Sequence, residues 1–265
     1  MRIAVAIPTY NEKNNLLPLI KNVNDSLAGS GVEPYFVVVD DNSPDGTAEL
    51  VKKEVLNGQK HLHLIQRPKK AGLGSAYVDA FRWILSNYPT IEMIVQMDAD
   101  LSHPPYLILN MIDAIRNGAD AVIASRYIHD GGVDPGWPLH RRITSKGANM
   151  LARAILGIKS KDVTSGFRAY RISIVKELMA KRLSSKGYEF QVETLYVVSK
   201  LTARIEEIPF QFKNRMDGKS KLTLKEIMRF LKTIITIKLN GQIISIDLSN
   251  APDKEQGHVF EESQA

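Results

Sequence analysis

Residues 94–105 read IVQMDADLSHPP. A largely apolar run, beginning at Ile91, stops on two aspartates one residue apart, Asp98 and Asp100, and then breaks at a proline pair. Apolar side chains stand at consecutive rather than alternate positions. A strand with one wet face alternates, whereas a strand covered on both faces does not. Residues 91–97 therefore predict a buried strand of a parallel sheet, and the two acids mark its carboxyl end.

The same grammar recurs along the rest of the chain. Residues 2–7, 35–39, 61–65 and 121–124 are apolar or β-branched runs and predict four more strands. Residues 12–27 place Leu16, Leu19, Ile20, Val23 and Leu27 at helical spacing, and Gly29 and Gly31 stop the helix. Residues 47–56, 75–85 and 106–116 predict three further helices. Strands alternating with helices give an α/β fold, a doubly wound, mostly parallel sheet with helices on both faces. The second half is less regular. Residues 129–138, rich in Gly and Pro, predict a mobile loop. Residues 144–156 and 189–200 predict helices, 204–212 a strand, 222–239 a longer amphipathic helix, and 250–265 a disordered tail.

The chain has 265 residues, enough for one large α/β domain. It has no cysteine, which excludes a disulfide framework and a thiolate nucleophile or metal site. No run reaches the roughly 18 apolar residues of a membrane-spanning helix. The opening MRIAVAIPTYNE turns polar too early for a signal peptide. A net charge of +6 suits an anionic partner such as a nucleotide, a phosphate or a lipid surface. No basic stripe with interleaved aromatics points to nucleic acid.

In doubly wound sheets, ligands sit beyond the carboxyl ends of the strands. Three polar segments fall there: PTYNE at 8–12, DDNSPD at 40–45 and DAD at 98–100. Turn chemistry alone accounts for any one of them. Together, on one edge of one sheet, they outline a site. The repulsion between Asp98 and Asp100 is relieved by a hard cation, Mg²⁺ or Mn²⁺, which takes oxygen ligands and is often completed by substrate phosphates. The glycines of AGLG at 71–74 follow the third strand, not the first, so they are no dinucleotide fingerprint. They read as a helix start that lets the backbone pass close to something. Basic candidates for the anion are Arg67, Lys69, Lys70, Arg126, Arg141, Arg142, Arg168, Arg215, Lys219 and Lys221. Arg126 ends the fifth strand, and RMDGKSK at 215–221 is a loop able to close over a diphosphate.

These blocks, PTYNE, VVVDDNSPDGT, KAGLGSAY, MDADLSHPP, ASRY, RRITSKGAN, DVTSGFRAYR and NRMDGKSK, resemble in order the inverting family 2 glycosyltransferases. The nearest resemblance is to the branch that passes mannose from GDP-mannose to dolichyl or polyprenyl phosphate. It implies a nucleotide-sugar-binding sheet of the GT-A type, with a catalytic domain over residues 1–221, an amphipathic segment over 222–249 and a tail over 250–265. It implies that Pro8, Tyr10, Glu12, Val39 and Asp41 bind the nucleoside, and that Asp98, Ala99 and Asp100 hold metal and diphosphate. Ser102 stands where some members place a glutamine ligand. Arg215 and Lys221 would clamp the diphosphate. Arg126, Arg141 and Ser145 would grip the acceptor phosphate, with Asp100, Arg126 and Arg141 as the catalytic set. Many members continue into transmembrane helices, which this sequence lacks.

The acceptor follows from proton accounting. A sugar hydroxyl needs a general base. A phosphomonoester, with a second pKa of about 6, is already largely ionised. The Gln-x-x-Arg-Trp of hydroxyl-using relatives is absent, so a lipid phosphate is the expected acceptor. Glu189 and Glu193 stand as alternative bases, or as a helix start and a structural carboxylate. Residues 222–239 suit a membrane interface or plain core packing. The expected place is peripheral, at the cytoplasmic face of a membrane, with a separate membrane subunit as one means of recruitment. The rivals are a nucleotidyltransferase, which would release pyrophosphate, and a family 2 enzyme using another sugar nucleotide or a hydroxyl acceptor. A phosphoacceptor receiver domain fits poorly, because its acidic pair follows the first strand.

Overall fold

The computed structural model describes residues 1–212 and 224–240. Arg215, Lys219, Lys221 and the expected tail at 250–265 lie outside the described residues.

The first half follows the expected alternation: β1 (Arg2–Thr9), α1 (Lys13–Leu27), β2 (Glu33–Asp40), α2 (Thr47–Leu56), β3 (Leu62–Gln66), α3 (Leu73–Asn87), β4 (Met93–Gln96), α4 (Leu107–Arg116) and β5 (Ala121–Ser125). The strands are apolar at successive positions because both faces are covered. Along β1, Ile3, Val5 and Ile7 enter one core with α1, α2 and α4, while Ala4 and Ala6 enter the other with α3. The next elements are β6 (Gly132–Val133), α5 (Leu139–Leu156), β7 (Arg168–Arg171), α6 (Ile172–Met179), α7 (Phe190–Leu201), β8 (Ile205–Pro209), β9 (Gln211–Phe212) and α8 (Leu224–Asn240).

The main sheet has seven strands in the order β3-β2-β1-β4-β7-β5-β8. All neighbours run parallel except β7, which is antiparallel to β4 and β5. Neither β7 nor α6 is anticipated by periodicity. Arg168 and Arg171 bracket the strand and mimic a surface segment, yet Arg168 is fully buried. Its guanidinium donates to the carbonyls of Gln191 (2.7 Å) and Val163 (2.9 Å) and to Thr194 Oγ1 (3.2 Å). Arg168, counted above as an anion-binding candidate, is thus a strut between β7 and α7.

Two other expectations change. The strand expected at 204–212 splits. β8 joins the main sheet, whereas β9 pairs in parallel with β6. Residues 129–138, expected as a mobile loop, are therefore tied down, and the Gly132 N–H donates to the Phe210 carbonyl at 3.0 Å. Helix α8 serves in part as core. Ile234 is fully buried, in a cluster that includes Ala152 of α5 and Leu195 of α7, while Met228, Ile235 and Leu239 are 53–76% exposed. No helix among the described residues is long and apolar enough to cross a membrane.

Candidate active site

The carboxyl edge of the sheet is where the backbone is strained. Among the described residues, the non-glycine positions with left-handed φ are Asn11 (63°), Asn42 (58°), Leu101 (61°) and Asp130 (64°). They follow β1, β2, β4 and β5 respectively. Such conformations cost on the order of 1–3 kcal/mol each and collect at ligand sites. Asn tolerates them, but leucine has no local hydrogen bond to compensate.

At the β1–β2 end, register sets Pro8 beside Val39 and Thr9 beside Asp40. The two following loops are laced together: Asn11 N–H donates to Ser43 Oγ (3.0 Å), Glu12 N–H to Thr47 Oγ1 (3.1 Å) and Lys13 N–H to Asp45 Oδ2 (3.1 Å). Lys70 Nζ lies 3.5 Å from the Tyr10 ring centroid. Asp41, expected to contact the nucleoside directly, is buried and already engaged. Its Oδ2 accepts from the Ala71 and Gly72 N–H groups (3.3 and 3.2 Å), and its Oδ1 pairs with Arg67. Arg67 in turn reaches Asp79, Ser75 and the Gly72 carbonyl. Arg67 is therefore the clasp that ties the glycine segment to Asp41, and no exposed phosphate ligand. What passes close to those glycines is the 185–190 segment, and Gly74 N–H donates to the Lys186 carbonyl at 2.9 Å.

At the β4 tip, Asp98 is 24% exposed by side chain, and Asp100 is buried. Asp98 Oδ1 accepts from the buried Tyr77 hydroxyl at 3.1 Å. Burial, with the charges of both Asp98 and Asp100 beside it, pushes the Tyr77 phenol well above its ordinary range, so it remains a donor. The Asp98 N–H donates to His103 Nδ1 at 3.0 Å, which assigns the proton to Nε2, 3.9 Å from Asp98 Oδ2. The His103 ring stacks on Phe167 at 4.9 Å. Asp100 Oδ1 accepts from the Ser102 N–H (3.1 Å) and hydroxyl (2.6 Å). Ser102, expected by resemblance where some members place a glutamine ligand, here orients Asp100. No group of three His, Asp or Glu side chains converges as a protein-only metal site among the described residues. Two carboxylates at one strand tip would suit a Mg²⁺-type ion whose remaining ligands would come from substrate phosphates and water.

On the basic side, Arg126 spends two of its three guanidinium nitrogens on the protein. Its Nε and Nη2 form a fork with Asp162 (2.7 and 2.8 Å), and Nη2 also donates to Thr164 Oγ1 (2.8 Å). Burial alone would raise Asp162, but Arg126 holds the carboxyl below its usual range. Arg141, in the first turn of α5, places its guanidinium carbon 3.7 Å from the Trp137 ring centroid. Ser145, one turn further on, accepts from the Tyr127 hydroxyl at 2.7 Å. Arg142 holds the loop before α5 by donating to the Trp137 and Asp134 carbonyls (3.0 and 3.3 Å). Basic side chains at a helix N-terminus add to its partial positive charge, an arrangement that favours an anion there.

Glu193 is consumed structurally. It accepts from the Ser184 N–H and hydroxyl and from the Ser185 N–H, all at 2.7–3.1 Å. Glu189 accepts from the Gly187 N–H at 3.2 Å. Tyr77, His103, Asp162, Gly166 and Gln191 received no role from sequence. The first four lie inside motif blocks quoted for the resemblance, and the buried partners of Asp98 and Arg126 become visible only in three dimensions.

The sequence profile described as glycosyl transferase family 2 matches residues 4–179. The chain belongs to that family. It is a glycosyltransferase with a GT-A-like fold. This family 2 chain is 35% identical over 242 residues to the polyprenol monophosphomannose synthase of Mycolicibacterium smegmatis, covering 91% of this chain and 89% of that protein. It is 39% identical over 246 residues to the dolichol-phosphate mannosyltransferase of Pyrococcus furiosus, covering 92% of this chain and 66% of that one. Among solved structures, glucosyl-3-phosphoglycerate synthase from Mycobacterium tuberculosis, in complex with phosphoglyceric acid, gives a TM-score of 0.62 at 17% identity, covering 89% of this chain and 79% of that one. The same protein with Mn²⁺ and UDP-glucose gives 0.61 at 18%, covering 93% and 80%. At such identities the likeness is one of fold.

Proposed function

We propose that this glycosyltransferase moves mannose from GDP-mannose to the phosphate of a polyprenyl or dolichyl phosphate, with inversion and with Mg²⁺ or Mn²⁺ at Asp98 and Asp100. The observation that carries the acceptor class is the engagement of Glu193. A hydroxyl acceptor needs a base, and the better buried of the two candidate bases is tied to Ser184 and Ser185. A phosphate acceptor needs positioning instead. The sugar and the lipid come from the two curated relatives, whose names carry polyprenol or dolichol phosphate and mannose.

In this reading Pro8, Tyr10, Glu12 and Val39 line the nucleoside end, and Asp41 shapes it through the Ala71–Gly72 turn. Asp98, Ala99 and Asp100 face the diphosphate, and Arg215 and Lys221, outside the described residues, carry the expected charge for it. When bound, the ion neutralises charge on the departing diphosphate. Arg141 and Ser145, at the α5 N-terminus, take the acceptor phosphate. Arg126, locked to Asp162 and 5.9 Å from the Phe212 ring, supports that side through its neighbours. The phosphate oxygen attacks the anomeric carbon from the face opposite the leaving group. The exposed Leu139, Ile143 and Met150 of α5, and Met228, Ile235 and Leu239 of α8, provide an apolar surface for the lipid side.

The test is a panel of nucleotide sugars offered with polyprenyl phosphate or with the free polyprenol, with Mn²⁺ or EDTA. Mannosyl transfer to the phosphate alone, lost in EDTA, is expected. Transfer to the free alcohol would overturn the acceptor, and release of pyrophosphate would overturn the reaction class.

A further inference from the structure

The buried amide pair of Gln96 and Gln191 leaves two atoms over among the described residues, Gln96 Oε1 and Gln191 Nε2, and the second borders the same glycine, Gly166, as Asp98. Gln191, in the first turn of α7, is 3% exposed, and its Nε2 has no hydrogen-bond partner among the described residues. Its neighbours fix the amide's orientation. The Gly166 carbonyl can only accept, so the Gln96 atom 3.1 Å from it is the donor Nε2. The same Nε2 lies 2.6 Å from the Gln191 amide, so the atom there is the acceptor Oε1. The remaining Gln191 Nε2 is a buried donor without an acceptor among the described residues, an unfavourable state that a ligand acceptor would relieve.

That donor borders a gap. A methyl carbon built on Gly166 would lie 3.4 Å from Gln191 Nε2 and 3.6 Å from each Asp98 carboxylate oxygen, its three nearest atoms. Gly166 is not among the glycines of left-handed φ, so its backbone does not demand glycine. The missing side chain leaves room walled by one donor and two acceptor oxygens. A phosphate oxygen would be repelled there by Asp98. An apolar group would leave the amide unsatisfied. A neutral hydroxyl accepts from Gln191 and donates to Asp98.

The geometry points to a subsite for one hydroxyl of the donor sugar, read by Gln191 Nε2 and Asp98 across the open side of Gly166. This inference rests on the nucleotide-sugar reading of the cleft. It adds Gln191 and Gly166 as specificity-determining residues.

Gly166→Ala tests it. The added methyl meets only ordinary contacts, so the fold and its melting temperature are expected to hold. Binding of GDP and of GDP-mannose, each with Mn²⁺, is measured calorimetrically for the wild type, for Gly166→Ala and for Gln191→Met. GDP affinity is expected to stay within about twofold. GDP-mannose affinity is expected to fall about tenfold or more, the size of a lost charge-assisted hydrogen bond. One mono-deoxy analogue of GDP-mannose should lose the same factor in the wild type and nothing further in Gly166→Ala. Unchanged GDP-mannose affinity in Gly166→Ala, or equal behaviour of every deoxy analogue, overturns the subsite. An equal loss for GDP and GDP-mannose also overturns it, assigning the gap to a metal-bound water. A wild type that binds GDP but not GDP-mannose overturns the reading of the cleft along with the subsite.

Discussion

Asp98, the proposed metal carboxylate, is held from behind by its neighbours. Tyr77 donates to one oxygen, and His103 takes the backbone N–H while stacking on Phe167. Tyr77→Phe removes only the hydroxyl. Because partners behind a ligand typically hold about 10- to 100-fold of metal affinity, Mn²⁺ affinity measured by electron paramagnetic resonance is expected to drop about tenfold. An unchanged affinity would show that the phenol merely fills space. Arg126 makes the opposite kind of residue-scale point. It was legible as a cation at a strand end, but its partner Asp162, 36 residues away, was not. Asp162→Ala strands a buried guanidinium and is expected to cost about 3–5 kcal/mol in urea unfolding, with part of that recovered in Asp162→Ala/Arg126→Met. Equal stability of the single variant and the wild type would contradict the buried pair.

Among the elements, β1 to β5 and the helices between them were legible because strands covered on both faces read as unbroken apolar runs. β7 was not, since its central position is disguised by Arg168, whose charge is met by carbonyls of α7 and of the preceding loop. The split between β8 and β9 was hidden for another reason: 204–212 is one continuous pattern, and only the pairing of β6 with β9 divides it. The glycines before α3 were legible as a close approach, but not as an approach of the Lys186 backbone. At Gly72, φ is 106°, and an added Cβ would lie 2.4 Å from the Lys186 carbonyl oxygen. At Gly29, φ is 75° with nothing within 4 Å. Gly29→Ala is therefore expected to cost about 1–2 kcal/mol from the backbone alone. Gly72→Ala should cost more, because strain and overlap act together. Equal melting temperatures for the two variants would contradict the packing of 185–190 on α3.

Across the molecule, the two edges of the sheet differ in purpose. At the edge away from the cleft, His63 packs against Trp83 and Tyr88. Burial, reinforced by the nearby His61, holds its imidazole below the ordinary range. The unfolded chain then takes up a proton near pH 6.5 that the folded chain resists until lower pH. Stability from this group is full above about pH 6.5 and is lost as pH falls through the folded value. The melting temperature of His63→Phe should decline less than that of the wild type between pH 7 and 5, and parallel declines would contradict the assignment. The carboxyl edge holds the strained turns, the Asp98–Asp100 pair and the basic start of α5. That concentration was foreseeable from where the acids fall in the sequence, although their inner partners were not. The most direct measurement is an anomalous-scattering map of crystals grown with Mn²⁺ and GDP. One manganese peak bonded to carboxylate oxygens of Asp98 and Asp100 and to the diphosphate is the predicted result. A bound nucleotide with those carboxylates facing solvent and no manganese beside them would contradict it.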